Sequence, residues 1–522
     1  MNADIVILGS SFSGSLLGWI LARQGLRVVL LDRDSHPRFA IGESSTPVAD
    51  MLISRLAEHW DLTALAPLAR YGSWRKTYPA IRCGKKRGFS YFAHDSAGNT
   101  AGRAFADSCE HVASLLVAAS ANDDASDTHW LRSDVDAFFF AQALSAGVDG
   151  RESCTVERLE RTDRWHVGWR HDRTGATEYC ESPLVVDASG SGALLARVLG
   201  LVRLDDSLAT RTACIYTHVE DLGSWDTIRL AAGDVSTTTP FRSDDAAQHH
   251  LVAGGWFWML RFDAGLASVG LVRRQTDVVH GFGGSSTGSE RTWHETFARY
   301  PSLAAMLEGA RRVRPLAETG RLTRLWSRAS GVGWAMLPTT CGFVDPLQST
   351  GIAHAISGVD RVARLVVAGA HDTPRWNDYG RDVVDEVCWI DSLISACYEC
   401  LDDFSLFTFA CHLTFIATIH HERAIASGDG VGGFLSCRNR PLRESLHAAR
   451  MRLVGLARSR SASGDGARPP RTCSSREAAL DDLRSLLAPW DPAGLLDPAA
   501  HNRFAHSAAS KPRETHASQS CA

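Results

Sequence analysis

Short apolar runs and one helical pattern alternate at the start of the chain. Residues 4–8 (DIVIL) are apolar, residues 13–24 have helical spacing with little charge, and residues 26–32 (LRVVLLD) form a second apolar run. This order predicts a strand, a helix and a second strand, with the turn GSSFSG at residues 9–14 between the first two elements. The segment is therefore predicted to be a βαβ unit.

The residues of this unit have the properties that a dinucleotide site requires. Gly9 permits a tight turn, Ser11 replaces the middle glycine of the usual pattern, and Gly14 lets the helix pack close to the strand. The helix start presents free N–H groups to a pyrophosphate, and Asp32 ends the second strand where an acid would bind a ribose hydroxyl. These features favour dinucleotide binding, the alternative being a structural turn.

Later segments extend the same domain. Residues 184–190 (LVVDASG) predict a strand whose end approaches another group closely, and residues 334–351 predict a strand and a loop leading into a helix at 352–367. We therefore predict a nucleotide-binding domain within residues 1–370, assembled from about 1–50, 130–200 and 320–370. A substrate lobe is inserted at about 51–129 and 201–319.

Beyond this domain, the sequence pattern changes to helical. Residues 371–522 are predicted to be mainly helical, with aromatic stripes typical of packing. Residues 458–475 have the composition of a linker or mobile loop. The tail after His506 is predicted to be disordered.

The composition is that of an ordinary globular protein. The 522 residues are 44% hydrophobic and 22% charged, and the chain is long enough for at least two packing units. A net charge of −4 gives no electrostatic case for a nucleic-acid partner. The 13 scattered cysteines and the absence of a signal-like N-terminus indicate reduced cytosolic thiols, and no apolar run reaches membrane-spanning length. We therefore expect a cytoplasmic protein without a membrane partner.

Lysine is rare in this chain. Of 55 basic residues only four are lysines, Lys76, Lys85, Lys86 and Lys511. A retained lysine suits chemistry that needs a compact donor, the alternative being codon bias and chance. Residues 82–92 (RCGKKRGFSYF) predict a strand entered through Gly84, on which only one of the two adjacent lysines can face inward.

Two further segments have candidate chemistry. The loop DPLQSTG runs directly into a helix, so the N–H groups of Thr350, Gly351 and Ile352 predict an anion site without side-chain charge. Trp256 and Trp258 share one face of a predicted strand, which is also compatible with plain core packing.

Several motifs together carry a family resemblance. They occur in the family's order over about the first 370 residues, with weaker similarity at 397–409, and they are GSSFSG, PRFAIGESSTP at 37–47, RSDVD at 132–136, DASG at 187–190, WFWMLRF at 256–262 and GFVDPLQSTG at 342–351. The chain resembles flavin-dependent halogenases of the tryptophan halogenase superfamily, most closely the branch that acts on phenols and pyrroles. The family motif continues Ile-Pro after the tryptophan pair, where this chain has Leu260 and Arg261.

The resemblance implies an α/β fold of the FAD-binding, Rossmann-like type found in glutathione reductase and aromatic hydroxylases. It adds a mixed-sheet substrate lobe and a C-terminal helical region. The expected cofactor is FAD, used as FADH2 with O2 and chloride or bromide. The residues expected to bind it are Gly9, Ser11, Phe12, Ser13, Gly14, Asp32, Arg33, Arg38, Gly42, Glu43, Ser44, Arg132, Asp187, Gly190, Asp345, Pro346, Gly351 and Ile352. For Arg132, an ion pair with Asp134 or Asp136 is the alternative.

The resemblance also implies a reaction. Halide held at Ser349, Thr350 and Gly351 would attack a flavin hydroperoxide, and the resulting hypohalous acid would be directed by Lys86 onto an electron-rich ring. Trp256 and Trp258 would separate flavin from substrate. The implied partners are a separate NAD(P)H-dependent flavin reductase and a small aromatic substrate, free or attached to a carrier protein.

Gln348 distinguishes this chain from tryptophan halogenases, which have a glutamate before Ser-Thr-Gly. An amide neither accepts a proton nor carries charge near neutral pH, so we expect phenolic or pyrrolic substrates.

Other functions and sites remain alternatives. A monooxygenase or reductase of the same fold would use the DPLQSTG loop for a flavin contact only, and a non-catalytic FAD-binding protein would need no substrate. Cys397 and Cys400 have no second cysteine pair, His294-Glu295 lacks a second histidine, and His420-His421 shows no partner, so no metal is expected.

Overall fold

The computed structural model describes residues 2–94, 114–231, 239–275, 286–371, 373–428, 433–461 and 473–509. A six-stranded sheet forms the first layer. Its strands, in spatial order, are Ser330–Gly331, Trp334–Met336, Val185–Asp187, Ile5–Leu8, Val28–Leu31 and Asp149–Arg151. All neighbours are parallel except the first pair. The central strands are continuously apolar because helices cover both faces of such a sheet.

The predicted βαβ unit is present with slightly shorter elements. The strands are Ile5–Leu8 and Val28–Leu31, and the helix is Phe12–Arg23. This helix packs against the helices Arg132–Ser145 and Thr350–Val367, which come from distant parts of the sequence. The α/β class predicted from the sequence is confirmed.

A nine-stranded mixed sheet forms the second lobe. In spatial order its strands are Arg311–Arg312, Thr212–Glu220, Leu266–Arg274, Gly255–Arg261, Ala247–Val252, Gly88–Ala93, Ser114–Ala118 and Arg503–Phe504, with Ala317–Glu318 also paired to Thr212–Glu220. One face of this sheet packs on the main core and the other on a separate core that contains Phe257 and Trp293. The sheet therefore separates two apolar layers.

The remaining strands form three small sheets. Cys154–Arg161, Trp165–His171 and Thr177–Ser182 form an antiparallel sheet, Cys83–Lys86 pairs with Asp127–Trp130, and Arg324–Leu325 pairs with Gly342–Phe343. The single strand predicted over 82–92 is thus two strands, Cys83–Lys86 and Gly88–Ala93, in different sheets. Periodicity alone does not show this break, because only Arg87 separates the two strands.

The remaining α-helices surround the two large sheets. In the N-terminal and middle parts they are Pro47–His59, Tyr71–Thr77, Leu194–Val198, Trp225–Ala231, Ser286–Arg299, Pro301–Leu307 and Pro338–Cys341. Those of the C-terminal region are Pro374–Glu399, Phe404–Ser427, Arg440–Ser461 and Cys473–Leu487. None of the helices in the described ranges is long and apolar enough to cross a membrane.

The chain end differs from the sequence-based expectation. Arg503–Phe504 adds a strand to the substrate sheet, and Ser507 donates from N and Oγ to Ala118 O at 2.9 Å each. The prediction of disorder directly after His506 is therefore wrong for residues 507–509, because the strand anchors them. The predicted mobile loop begins and ends in helices, and its residues 462–472, like the tail from residue 510, lie outside the described residues.

Candidate active site

The GSSFSG turn is shaped by close backbone packing. Gly9 has a φ of +100°, and a Cβ there would lie 2.7 Å from Ala188 O. A Cβ on Gly14 would lie 2.0 Å from Gly9 O, which confirms that the helix must approach the strand closely. The group that the DASG segment approaches is thus the glycine turn itself.

The helix behind this turn begins with polar contacts. Ser11 is its extended N-cap residue, and Ser11 Oγ lies 3.3 Å from Ser13 Oγ. The N–H of Phe12 donates to Asp136 Oδ1 at 3.2 Å. Because the Phe12 N–H is already paired with Asp136, a pyrophosphate at this helix start would use the N–H groups that follow Phe12.

Asp32 lies at the end of the second strand, as predicted, and is nearly buried. Its carboxylate accepts from Ser10 N at 2.7 Å, Ser10 Oγ at 2.8 Å and Arg38 Nη2 at 3.1 Å. Burial raises the pKa of Asp32, but Arg38 and the Ser10 donors outweigh burial and hold the pKa below its usual value. Arg33, also predicted to bind the cofactor, is exposed and lies near Asp34.

Arg132 joins the helix Arg132–Ser145 to the loop at residues 38–44. Its Nε and Nη2 donate to Asp136 at 2.9 and 3.0 Å, and its Nη1 donates to Ile41 O at 2.8 Å and Gly42 O at 3.1 Å. Gly42 has a φ of +92°, so the loop turns where the guanidinium binds it. The ion pair with Asp136 left open by the sequence is present and serves to position this loop.

Three polar atoms of the 38–44 loop are buried without a hydrogen-bond partner among the described residues. They are Arg38 Nε, Glu43 Oε2 and Ser44 Oγ. The other oxygen of Glu43, Oε1, lies 2.8 Å from His218 Nε2. Because native proteins rarely leave buried polar atoms unpaired, this loop fits a polar ligand such as FAD.

Asp187 and Gly190 organise the DASG turn. Asp187 accepts from Ser189 N at 2.9 Å, Ser189 Oγ at 2.6 Å and Leu195 N at 2.8 Å, and Gly190 N donates to Thr340 Oγ1 at 3.1 Å. Burial raises the pKa of Asp187 despite these donors. Direct contact of Asp187 and Gly190 with a cofactor stays a prediction.

The DPLQSTG loop is held by Asp345. This buried carboxylate accepts from Leu347 N at 2.9 Å, Thr212 Oγ1 at 2.7 Å and Tyr398 OH at 2.9 Å. Burial raises the pKa of Asp345 to about 6. Pro346 O accepts from Ser349 N at 3.0 Å, which closes a turn over residues 346–349.

The loop ends at a helix start. Ser349 has a φ of +52° and is the N-cap residue of the helix Thr350–Val367, so the N–H groups of Thr350, Gly351 and Ile352 lie at a positive helix end. A Cβ on Gly351 would meet Phe343 Cε2 at an ordinary 3.5 Å. The protein itself thus has room beside Gly351.

Lys85 and Lys86 face opposite sides, as the strand pattern predicted. Lys85 forms ion pairs with Asp123 at 2.6 Å and Asp245 at 3.0 Å near the surface. Lys86 is fully buried, with its Nζ donating to Ser45 O and lying 4.0 Å from the centre of the Phe89 ring. Only Lys86 points into the protein.

Two histidines near Lys86 were not identified from the sequence. Burial, with a smaller effect from the Lys86 charge, lowers the pKa of His129 and of His249 to about 3. Both imidazoles are therefore neutral near pH 7. His249 also stacks on Tyr91, with ring centres 4.5 Å apart.

A cavity connects the DPLQSTG loop to the C-terminal helices. It has an empty volume of about 550 Å³, part of it open to solvent, and its lining includes Phe89, Gln348, Thr350, Phe415 and Glu422. The Gln348 side chain accepts from Tyr91 OH at 3.1 Å and donates to Cys411 Sγ at 3.4 Å. The glutamine is thus a fixed neutral wall of this cavity.

The tryptophan pair is buried in the main core. Trp256 Nε1 donates to Tyr398 OH at 2.8 Å, and Trp258 Nε1 donates to Ser268 Oγ at 3.0 Å. Tyr398 thereby connects Trp256 to Asp345. Core packing is shown, and a barrier between flavin and substrate stays a prediction.

Arg261, which departs from the family motif, is accommodated by the backbone. It donates to Leu222 O at 2.8 Å and also to Gly223 O, and lies 3.3 Å from Asp244 Oδ1. Its charge is therefore stabilised at the end of the strand Gly255–Arg261.

The described residues contain no group of three His, Cys, Asp or Glu side chains that could hold a metal ion. Cys397 and Cys400 are buried free thiols. His420 lies 3.0 Å from Trp490 O, and His421 accepts from Leu435 N at 3.2 Å. These histidines have structural partners that the sequence did not reveal.

Besides the two histidines near Lys86, sequence reasoning missed two further polar residues of the site, Tyr398 and Glu422. Tyr398 lies within the weakly similar segment 397–409, but its helical pattern resembles ordinary packing. Glu422 lies on a helix that is otherwise apolar over much of its length. A carboxylate in such a helix was the available signal for Glu422.

Comparisons with known proteins identify the family. The chain matches the family model of FAD dependent oxidoreductases over residues 4–327. It is 29% identical over 377 residues to tetracycline 7-halogenase of Kitasatospora aureofaciens, covering 71% of this chain and 64% of that protein. It is 26% identical over 437 residues to monodechloroaminopyrrolnitrin halogenase PrnC of Pseudomonas fluorescens, covering 80% of this chain and 71% of PrnC. The chain thus spans less than two thirds of the tetracycline 7-halogenase.

The fold is similar to solved halogenase structures. For halogenase PltM in complex with phloroglucinol and FAD, the TM-score is 0.79 at 22% identity, covering 97% of this chain and 99% of that chain. A PltM variant in complex with FAD gives a TM-score of 0.80 at 23% identity, with the same coverage. The chain belongs to the family of FAD-dependent oxidoreductases, and its relatives within that family include flavin-dependent halogenases.

Proposed function

We propose that the protein is an FAD-dependent halogenase that installs chlorine or bromine on an electron-rich aromatic ring. The observation that carries this proposal is the buried Lys86 ammonium beside Phe89, whose ring lines the same cavity as Thr350. In the balanced reaction, an aromatic C–H, a halide ion, O2, a proton and FADH2 give a carbon–halogen bond, FAD and two water molecules. The halide is oxidised, and O2 is reduced.

The chain has the polar groups that FAD requires. When bound, reduced FAD supplies the electrons that activate O2, so that halide is oxidised to hypohalous acid. Asp32 would bind the ribose, and the N–H groups that follow Phe12 would bind the pyrophosphate. Glu43 Oε2 and Arg38 Nε are buried without a hydrogen-bond partner among the described residues and could bind the cofactor. The ion pair between Arg132 and Asp136 positions the loop that contains Arg38 and Glu43.

The start of the helix Thr350–Val367 is the proposed halide site. Ser349, Thr350 and Gly351 place backbone N–H donors at a positive helix end, and a Cβ on Gly351 would make only an ordinary 3.5 Å contact with Phe343 Cε2. Backbone donors bind an anion without a competing side-chain cation. A flavin contact without halide, as in a hydroxylase, would use the same donors.

Lys86 is the proposed catalytic residue. Its ammonium would donate a hydrogen bond to hypohalous acid and so place the halogen against the substrate ring. In the alternative, the neutral amine would react with hypohalous acid, breaking the oxygen–halogen bond to give a haloamine and water. The neighbouring His129 and His249 are neutral near pH 7, so neither of these imidazoles would supply a charged donor in place of Lys86. Trp256 and Trp258 exclude water from this part of the core.

Gln348 favours phenolic or pyrrolic substrates. A carboxylate at this position would accept the ring proton, whereas the amide is held by Tyr91 and Cys411 and stays neutral. A phenol is activated by its own hydroxyl and a pyrrole by its nitrogen. Relatives support both classes, since PltM was solved with phloroglucinol and another relative is named a pyrrole-2-carbonyl carrier-protein chlorinase.

The proposed partners follow from this chemistry. A separate NAD(P)H-dependent reductase would supply FADH2, and the substrate would be a small aromatic molecule, free or attached to a carrier protein. The ten cysteines whose side chains the structure describes are free thiols, which supports the cytoplasmic location predicted from the sequence.

One product-analysis experiment distinguishes the three alternatives. The protein is incubated with FAD, NADH, a flavin reductase, bromide and a phenol, and the products are analysed by mass spectrometry. A halogenase gives a bromine isotope doublet, a monooxygenase gives added oxygen, and a non-catalytic FAD-binding protein gives neither. Either of the last two results would overturn the proposal.

A further inference from the structure

A short turn after the helix Phe404–Ser427 forms one wall of the cavity beside Thr350. Phe434 and Leu435 of this turn line the cavity, and each is 2% exposed. Leu435 has a φ of +50° and Ser436 has a φ of +55°, a left-handed conformation that residues other than glycine rarely adopt. Backbone strain of this kind persists only where the surrounding contacts hold it. The contacts around the turn therefore set the shape of this cavity wall.

Hydrogen bonds from two helices hold the turn. Phe434 N donates to Glu386 Oε1 at 3.1 Å, and Leu435 O accepts from Trp389 Nε1 at 3.1 Å. Leu435 N donates to His421 Nδ1 at 3.2 Å. Burial lowers the pKa of His421 to about 4, so this imidazole is neutral near pH 7 and its Nδ1 can accept. Both backbone groups of Leu435 are thus fixed by side chains.

Glu386 connects the turn to the helix Thr350–Val367. This carboxylate is 1% exposed, accepts from both Nη atoms of Arg361 at 2.8 and 2.9 Å, and lies 3.0 Å from His354 Nε2. Burial raises the pKa of Glu386, but the Arg361 guanidinium outweighs burial and holds the pKa well below its usual value. His354 follows Thr350 by one helical turn. A charged carboxylate therefore fixes the turn relative to the proposed halide site.

The Phe434 ring is packed against two imidazoles. Its centre lies 4.6 Å from that of His354, at an interplanar angle of 30°, and 5.4 Å from that of His421, at 78°. Close packing on more than one side leaves an aromatic ring little freedom to move. A ligand in the cavity must therefore fit this wall, because it cannot easily displace it.

We propose that Leu435 limits the size of the aromatic ring that the cavity accepts, and that Glu386 is the residue that positions it. This inference rests on the proposed halogenase function and specifies which rings reach the proposed halide site at Thr350. Other walls of the cavity include the apolar side chains of Phe89 and Phe415, so shape decides which rings fit between them and the turn. One-ring phenols should enter, and two fused rings should be excluded by Leu435.

The test compares binding of phenol and 2-naphthol to the FAD-loaded enzyme by ligand-observed NMR titration. We expect the wild type to bind 2-naphthol no more tightly than phenol, although 2-naphthol has the larger apolar surface. Leu435→Ala removes most of the side chain and should lower the Kd of 2-naphthol about 10-fold relative to the Kd of phenol. Leu435→Gly suits the positive φ, so the same change can be measured even where the alanine variant folds poorly.

Matched variants separate ring selection from folding. Leu435→Met keeps nearly the same side-chain volume and should retain the wild-type ratio of the two Kd values. Ser436→Gly relieves strain at a position that does not line the cavity, and it should leave the ratio unchanged. Glu386→Asp keeps the charge but shortens the reach to the turn, so it should shift the ratio about 3-fold toward 2-naphthol. Asp385→Asn, at a half-exposed ion pair on the same helix, should not shift it.

The outcomes are distinct. A wild type that binds neither probe, or an unchanged ratio in both Leu435→Ala and Leu435→Gly, would overturn this inference. Lower stability of Glu386→Asp at an unchanged ratio would show that this carboxylate supports folding only, against the positioning role. Ring selection that depends on Leu435 without any brominated product in the reductase assay would instead show that the proposed function is wrong while the size limit is real.

Discussion

At the scale of single residues, burial decides which polar groups can do chemistry. The adjacent Lys85 and Lys86 have the same side chain, but strand alternation places one among surface carboxylates and the other in the core. Periodicity predicted this difference. It did not predict the neutral histidines beside Lys86, because they come from the separate strands Asp127–Trp130 and Ala247–Val252.

Lys86→Met should abolish halogenation while FAD binding persists. Methionine fills a similar volume without a donor, so the product rate should fall about 100-fold or more. The measurement is brominated product per flavin oxidised, with bound FAD read from its absorbance. Lys85→Met is the control and should retain most activity, and an equal loss in both variants would contradict the assignment.

Tyr398→Phe should destabilise the folded protein. The tyrosine hydroxyl accepts from Trp256 and donates to Asp345, so its removal deprives two buried groups of a partner. We expect the free energy of unfolding to fall by about 1–3 kcal/mol, measured by urea denaturation. Tyr71→Phe removes a half-buried hydrogen bond to Asp263 and should cost less, so the reverse order would be inconsistent with this network.

At the scale of elements, the helix Thr350–Val367 packs against the helix Phe12–Arg23 of the predicted FAD site and also lines the cavity. Sequence reasoning predicted its start because loop chemistry and apolar spacing are local properties. It could not predict that Phe404–Ser427 or the chain end would line the cavity, because those contacts join residues far apart in sequence. The same limit applied to Tyr398 and Glu422.

Gly351→Val should remove halide dependence and FAD binding together. A Cβ at this position meets only an ordinary contact to Phe343, so the added side chain would exclude the ligands rather than disturb the fold. Bromide saturation, flavin absorbance and thermal unfolding of the FAD-free protein are the measurements. Gly455→Val, on a helix where a Cβ meets no atom within 4 Å among the described residues, is the control.

Unchanged bromide saturation in Gly351→Val would place the halide elsewhere. Lower stability of the FAD-free variant would mean that the substitution acts through folding.

At the scale of the whole molecule, the nine-stranded sheet joins distant segments. The chain end adds Arg503–Phe504 beside Ser114–Ala118 and continues over the cavity. The helical pattern of the C-terminal region was predicted. The strand Arg503–Phe504 was not, because two residues are too few to show a strand periodicity. The described C-terminal residues thus contribute to the cavity as well as to helical packing.

Acid should destabilise the protein through its buried histidines. Burial lowers the pKa from 6.5 to about 3 in four of them, His94, His129, His249 and His412. The unfolded chain then binds more protons below about pH 6.5, so stability falls as the pH falls toward 3, by up to about 1.4 kcal/mol per pH unit for each histidine. Asp345 has the opposite effect, because its raised pKa means that the folded protein binds this proton first as the pH falls. It is a single carboxyl group against four histidines.

The check is thermal unfolding measured from about pH 7 to about pH 5, where the melting temperature should drop steeply. A constant melting temperature over this interval would contradict the neutral, buried state of these histidines.

The most direct test of aromatic halogenation is the product spectrum from a matched panel of phenols, pyrroles and free tryptophan. Each is incubated with the protein, FAD, a flavin reductase, NADH, O2 and bromide, and the products are analysed by mass spectrometry. We expect bromine isotope doublets from phenolic or pyrrolic rings and little or none from tryptophan. Oxygenated products without bromine, or efficient conversion of tryptophan to a single isomer, would contradict the account.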